Sequence, residues 1–256
     1  MEGLTVRERL LGRSCPDLPH PIVFRGAVFA DESRFDMCLA LWRHALQLRQ
    51  DNDIALAKDL LRFAQVFSQM IHTGIELPLD QACFVLEACS EELRRGTSRA
   101  KKPVKNNDPE AVADEYQFNI RTALYLVSVA ARLLENAGNS TESIAAIKKA
   151  VFGLRMVRHR SKQTLLHMAV DRRTPVDDFH TSDVCRFPCP RTTRLLIECG
   201  VNVETTDHAR RTALHVALLS YQEEMITAEA EDRGEALCEV VCELLSRGSH
   251  VDAVDE

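Results

Sequence analysis

Two histidines stand in matching surroundings. Thr164-Leu165-Leu166-His167-Met168-Ala169 recurs as Thr212-Ala213-Leu214-His215-Val216-Ala217, 48 residues further on. An imidazole can serve as a general base, a metal ligand or a fixed hydrogen-bonding ring. Base chemistry needs a nucleophile or a carboxylate partner placed by the fold, and no such signature accompanies either histidine. The matched settings point instead to a structural role. Thr164 and Thr212 each open a helix, and the histidine is satisfied by nearby backbone.

A second constellation is H-x4-C-x3-C, formed by His180, Cys185 and Cys189 beside Asp177, Asp178 and Asp183. Zinc favours such ligands. Yet the spacing matches no standard knuckle and a fourth ligand is not evident, so Phe187, Pro188 and Pro190 suggest a loop pinned by packing. Cys238 and Cys242 lie one turn apart on a predicted helix and are expected to face the core. The basic stretch Arg94, Arg95, Arg99, Lys101, Lys102 and Lys105 can attract an acidic partner or RNA. No aromatic residue interleaves those charges for base stacking, so the stretch at about 94–109 reads as a solvated linker. The acidic run near 223–235 likewise reads as a solvated loop. Phosphate-cradling glycine loops, the G-x-S-x-G elbow, H-E-x-x-H and kinase signatures are all missing from the sequence. We therefore assign no catalytic residue, metal ligand or cofactor site.

The elements that would position these groups are helical and repeated. A second pair of segments, 195–200 and 243–248, keeps the 48-residue offset through Gly200 and Gly248, each with a leucine pair before its glycine, and Asp207 and Asp255 keep it too. These residues resemble the ankyrin repeat, whose first helix opens with T-P-L-H-x-A and whose usual period is about 33 residues. Each unit here carries roughly 15 extra residues beyond that period, expected between its two helices at 174–190 and 220–235. The motif proline is replaced by Leu165 and Ala213, and the hairpin glycine by Lys162 and Arg210. Earlier in the chain Gly26, Phe29, Cys38, Trp42 and Ala45 fall where a tetratricopeptide (TPR) unit places its small and large residues. Leu56, Leu60, Phe63, Phe67 and Met70 form one apolar helix face, and Tyr116, Ile120, Ala123, Val127 and Ala131 another. A last helix is expected at 140–157, capped by Ser140 or Thr141.

The predicted fold is all-α, an α-solenoid of TPR-like helical hairpins followed by ankyrin repeats. Its parts are a lead-in segment at 1–20, a TPR-like region at 21–158 and ankyrin-type repeats at 159–256. The structural repeat residues are Gly26, Trp42, Ala45, Thr164, His167, Gly200, Thr212, His215 and Gly248. Since Glu256 follows directly on Asp255, where a further unit would begin, the sequence is expected to be an interior slice of a longer solenoid.

Composition agrees with this reading. Of 256 residues 45% are hydrophobic and 5% aromatic, with 10 Gly and 9 Pro, which favours helices over a turn-rich β-sandwich. A net charge of −6 argues against a broadly basic nucleic-acid binder. The longest nearly apolar run, 123–131, is too short to cross a bilayer. Nine scattered cysteines and no signal-peptide pattern point to a reducing compartment, the cytoplasm, with the nucleus open as a second location. Protein partners are expected, rather than nucleic acid or membrane.

Longer blocks carry a more specific likeness. Arg7-Glu8-Arg9-Leu10-Leu11-Gly12, then His20-Pro21-Ile22 and the run 24–31, resemble the centre of the fem-1 homologs. The blocks 59–72 and 174–185 are similar to the B branch of that family in particular. The resemblance implies a substrate receptor of cullin-2 RING ubiquitin ligases. Such receptors hold a C-terminal degron in N-terminal ankyrin repeats and bind elongin and cullin-2 through a short box after a second ankyrin block. This chain matches the middle and the start of that second block, without the degron-binding repeats or the elongin-binding box, so no degron-pocket residue is carried over. Ubiquitin transfer would need no nucleophile here, because the RING partner and its conjugating enzyme supply it. The alternative is a generic ankyrin/TPR protein-binding scaffold outside the ubiquitin system.

Overall fold

The computed structural model describes residues 2–101, 108–135, 140–177, 184–224 and 231–249. Over these residues the chain is an all-α solenoid, with an isolated antiparallel bridge between Arg158 and Thr164. Its helices are α1 (Glu2–Leu11), α2 (Pro19–Asp31), α3 (Phe35–Asp51), α4 (Ala57–His72), α5 (Leu79–Lys101) and α6 (Pro109–Leu134). They continue with α7 (Thr141–Phe152), α8 (Leu165–Val170), α9 (Pro190–Glu198), α10 (Ala213–Glu224) and α11 (Glu231–Ser246). Local chemistry sets the ends. Proline opens α2, α6 and α9, where a missing N–H costs nothing. Asp108 accepts from the Glu110 amide at 3.0 Å and Ser140 from the Ser143 amide at 3.1 Å, each cap contributing about 1 kcal/mol. At the far ends, Val201 N donates to Leu196 O at 3.1 Å and Ser249 N to Leu244 O at 3.2 Å. These closures need Gly200 and Gly248 at φ of +84° and +89°.

Helices α2 and α3 pack closely because Gly26 has no side chain. A Cβ there would collide with Cδ1 and Nε1 of the Trp42 indole. Trp42 is buried, donates its Nε1–H to Val23 O at 2.9 Å, and meets Phe63 of α4 edge-on at 5.6 Å. The apolar face of α4 (Leu60, Phe63, Phe67 and Met70) is buried. The lead-in helix α1 lies against α3, with Glu8 Oε2 at 2.9 Å from His44 Nε2.

Helix α6 is the spine. From Asn119 to Ala131 every residue except Arg121 is buried, so the helix has almost no solvent face across this stretch. A helix apolar all round must be covered all round. It packs against α4 and α5 on one side and α8 and α9 on the other. The apolar run 123–131 thus gains its partners from both halves of the chain.

In the second half α8 pairs with α9 and α10 with α11, and the pairs stack α8 on α10 and α9 on α11. A tight hairpin precedes each pair. His159 N donates to Gln163 O at 2.8 Å, and Asp207 N to Arg211 O at 2.9 Å, again 48 residues apart. The hairpins join where His208 N donates to Ser161 O at 2.8 Å. Lys162 and Arg210 occupy the left-handed region at φ of +62° and +59°, where a Cβ crowds the following carbonyl.

Three expectations need correction. The linker placed at 94–109 is helical as far as Lys101, because Arg94 and Arg95 ion-pair back to Glu91 one turn earlier, at 2.6 and 3.2 Å. Residues 102–107 lie outside the described residues. The helix expected at 140–157 stops at Phe152, where Gly153 and a series of turns lead into the first hairpin. Cys238 and Cys242 are exposed rather than core-facing, since Leu237, Val240 and Leu244 supply the buried stripe of α11.

Gly26→Ala is expected to lower the unfolding free energy by about 1–3 kcal/mol in urea denaturation, through overpacking against the indole. Lys162→Gly and Arg210→Gly should each raise it by about 0.5–1 kcal/mol, relieving left-handed strain against a smaller entropic loss. An unchanged or lower midpoint in the glycine variants would refute the strain.

Candidate functional site

Thr164 is the N-cap of α8. Its Oγ1 accepts from the His167 amide at 3.4 Å, while the Thr164 amide donates to His167 Nδ1 at 3.2 Å. This is a capping box with histidine where glutamate or glutamine usually stands. With Nδ1 accepting, the hydrogen-bond pattern assigns the ring proton to Nε2, which donates to Arg211 O of the next hairpin at 2.9 Å. One buried ring therefore caps its own helix and holds the next repeat. His215 forms the same box, with the Thr212 amide at 3.2 Å and Thr212 Oγ1 at 2.8 Å from its Nδ1.

Arg211 is itself held by Asp207. The Asp207 carboxylate accepts from the Arg211 amide at 2.9 Å, its Nε at 3.1 Å, its Nη2 at 2.8 Å and the Ala209 amide at 2.8 Å. Burial would raise the Asp207 pKa, but these bonds outweigh it and leave the carboxyl below its usual range. Burial likewise pushes the His167 pKa below that of a free imidazole, against the opposing bond to Arg211 O. The ring is neutral at physiological pH.

The structure joins Thr164 and His167 to the second hairpin through the His167–Arg211 bond, while Thr212 and His215 pair with each other at the start of α10. It leaves Gly26, Trp42 and Ala45 at the separate α2–α3 contact, and Gly200 and Gly248 at the ends of α9 and α11.

His180, Asp178 and Asp183 fall outside the described residues. The described parts of the insertion, 174–177 and 184–190, fold back on the spine. Tyr125 of α6 donates its hydroxyl to Pro175 O at 2.9 Å, and Gln65 of α4 reaches Asp177 Oδ2 at 3.4 Å. Val184, Cys185, Phe187 and Cys189 are buried. Thr192 Oγ1 lies 3.1 Å from Ser128 Oγ of α6 and 3.0 Å from Cys189 Sγ. Burial pushes the Cys185 thiol up to about 12, and those of Cys38 and Cys89 equally far. These thiols stay protonated at neutral pH, which makes them weak nucleophiles. Among the described residues no three His, Cys, Asp or Glu side chains are grouped to hold a metal.

One charged cluster escapes motif reading. Asp59 lies on the apolar face of α4 and is buried, with Arg49 Nε at 2.9 Å and Arg62 Nη1 at 2.7 Å. Burial raises its pKa and the two arginines oppose the rise. The signal was available, because Asp59 falls in helical register with Leu56 and Phe63.

The lowered His167 pKa gives a pH dependence. A free imidazole protonates near pH 6.5, and the folded ring resists it, so stability is fully present above about pH 7 and declines as pH falls below 6.5. That decline is at most about 1.4 kcal/mol per pH unit. His167→Gln should lose about 1–3 kcal/mol at pH 7.5 and show a smaller drop than wild type between pH 7.5 and 5.5. Equal drops in the two proteins would remove His167 as the source.

No protein-family model matches the chain. Among curated relatives, human protein fem-1 homolog C is 30% identical over 267 residues, covering 100% of this chain and 39% of its own length. The Xenopus laevis fem-1 homolog C is 31% identical over 86% of this chain and 36% of its own length. The Danio rerio fem-1 homolog A is 29% identical over 100% of this chain and 39% of its own. The chain thus spans roughly two fifths of these relatives, and the B-branch likeness rests on the blocks 59–72 and 174–185 alone. Matched from end to end at this identity, and all-α as its repeat register requires, the chain belongs to the fem-1 homolog family.

Proposed function

We propose that this chain is a non-catalytic part of a substrate-recognition subunit of a cullin-RING ubiquitin ligase. The end-to-end match to fem-1 homologs carries the reading. The structure supports it physically, because a receptor must hold a bound substrate at a fixed distance from the ubiquitin-charged enzyme. Proximity raises the effective concentration of a substrate lysine, and a floppy connector would dilute it. A spine buried against both halves of the chain is stiff in the required sense. On this reading 21–158 is the TPR-like region and 159–256 begins the second ankyrin block. Elongin and cullin-2 bind beyond it, degron-bearing substrates bind before it, and the protein works in the cytoplasm and nucleus. No helix of the described residues is long and apolar enough to cross a membrane.

The test is co-purification. The chain, expressed from a transcript that includes whatever coding sequence follows Glu256, is expected to bring down elongin and cullin-2. Recovery of the extended protein without either would overturn the ligase reading and leave a protein-binding scaffold.

A further inference from the structure

A groove of about 860 Å³ opens between α3, α4 and α6. Phe118 and Ala57 line it together with Arg49, Arg62, Gln117 and Arg121. One hydrogen bond and one nearby charge tie this groove to the first hairpin. Gln117 Oε1 accepts from the Arg160 amide at 2.9 Å, and the charge of Arg121 reaches the imidazole of His159, adding to the burial that already suppresses its protonation. The second hairpin follows through the His208–Ser161 bond. Groove and hairpins are one continuous surface.

Its charge is uneven. Most arginines elsewhere in the fold have a carboxylate within reach, as Arg94, Arg132, Arg173 and Arg194 do. Among the described residues none of Arg121, Arg158, Arg160 and Lys162 is ion-paired, and the last three are exposed. Asp59 is already taken by Arg49 and Arg62, and Asp207 by Arg211. Asp17, Asp114 and Glu115 also line the groove. The last two precede Arg121 on α6 by about two turns, so the sign changes along the groove and the positive end meets the hairpins.

A second, independent observation concerns the backbone. Lys162 and Arg210 stand at equivalent positions of two repeats, both in the left-handed region that glycine occupies at less cost. Each hairpin thus carries a long cationic side chain on its turn.

We propose that the hairpins and the Arg121 end of the groove form a docking surface for an acidic peptide segment of a partner protein. Its carboxylates meet Arg121, Arg158, Arg160 and Lys162, and an apolar side chain enters beside Phe118. A peptide fits better than nucleic acid. The nearest rings, Phe118 and His159, are both half-buried and offer no exposed platform for base stacking, and the chain's net charge of −6 repels a long polyanion. The proposal is independent of the ligase reading, because it rests on the charge and lining of this surface alone.

Fluorescence anisotropy with the intact chain tests it, using a short labelled peptide of alternating Glu and Leu and its Gln–Leu counterpart. The Glu–Leu peptide should bind, more weakly at higher salt, and the Gln–Leu peptide should not. Arg160→Glu with Lys162→Glu should weaken binding about tenfold, and the corresponding Gln variants by less. Arg7→Glu with Arg9→Glu on α1 makes the same change in net charge and should leave affinity unchanged. Equal binding of both peptides, equal loss in the α1 variant, or oligo-uridine competing as well as the acidic peptide would each overturn the proposal. Unchanged thermal unfolding of these exposed-site variants excludes misfolding as the cause of a loss.

Discussion

The structure depends on one constraint, the need of α6 to be covered on every side. A stretch from Asn119 to Ala131 that is buried at all but one position cannot exist beside water. Each fully buried Val, Leu or Ile there contributes roughly 1.5–3 kcal/mol. No single repeat can supply that cover. Helices α4 and α5 take one side, α8 and α9 the other, and the two repeat types are obliged to meet at a fixed geometry. The polar residues of the helix are placed to allow this. Thr122 and Ser128 return their hydroxyls to carbonyls of their own helix, and Thr192 of α9 meets Ser128 without leaving a donor stranded.

Beyond the spine, the apolar core continues through α8–α11, and small polar networks at the hairpins set the register from unit to unit. His167 closes its own helix with one ring nitrogen and grips Arg211 O with the other, while Asp207 fixes Arg211 from the opposite side. Every member of this network is satisfied, which is why a neutral ring and an ionised carboxylate are both tolerated there. The capping half of this geometry recurs at Thr212 and His215. The loops between the helices can then vary in length, because the register is held at the hairpins.

Much of this was legible in the sequence, in proportion to how local the cause was. The 48-residue offset marked the helix-opening threonines, the histidines and the closing glycines, because each depends on neighbours a few residues away. Helical spacing found the buried faces of α4 and α6. The helical part of the basic run, 94–101, was not legible, because charge density suggests solvent while the deciding pairs to Glu91 lie one turn back. Cys238 and Cys242 were misplaced because an i, i+4 pair beside a leucine stripe shares its period and differs only in phase. Phe187, Pro188 and Pro190 marked the insertion as pinned by packing, but the groove and the choice of α6 as the surface it packs on were not legible. They arise from helices distant in the chain, and no local pattern encodes which surfaces will face each other.

The fold-back of the insertion onto α4 and α6 bears on how such a protein can change. Repeat proteins are ordinarily sums of units that touch only their neighbours, so units can be lost, gained or exchanged without rewriting the rest. Here a segment inside the first ankyrin-type unit reaches back past the boundary to Tyr125 and Gln65. A recombination event at the apparent boundary near 158 would separate the strap from the helices it binds. Exchange of units at this junction breaks contacts that exchange at the ends of the array leaves intact.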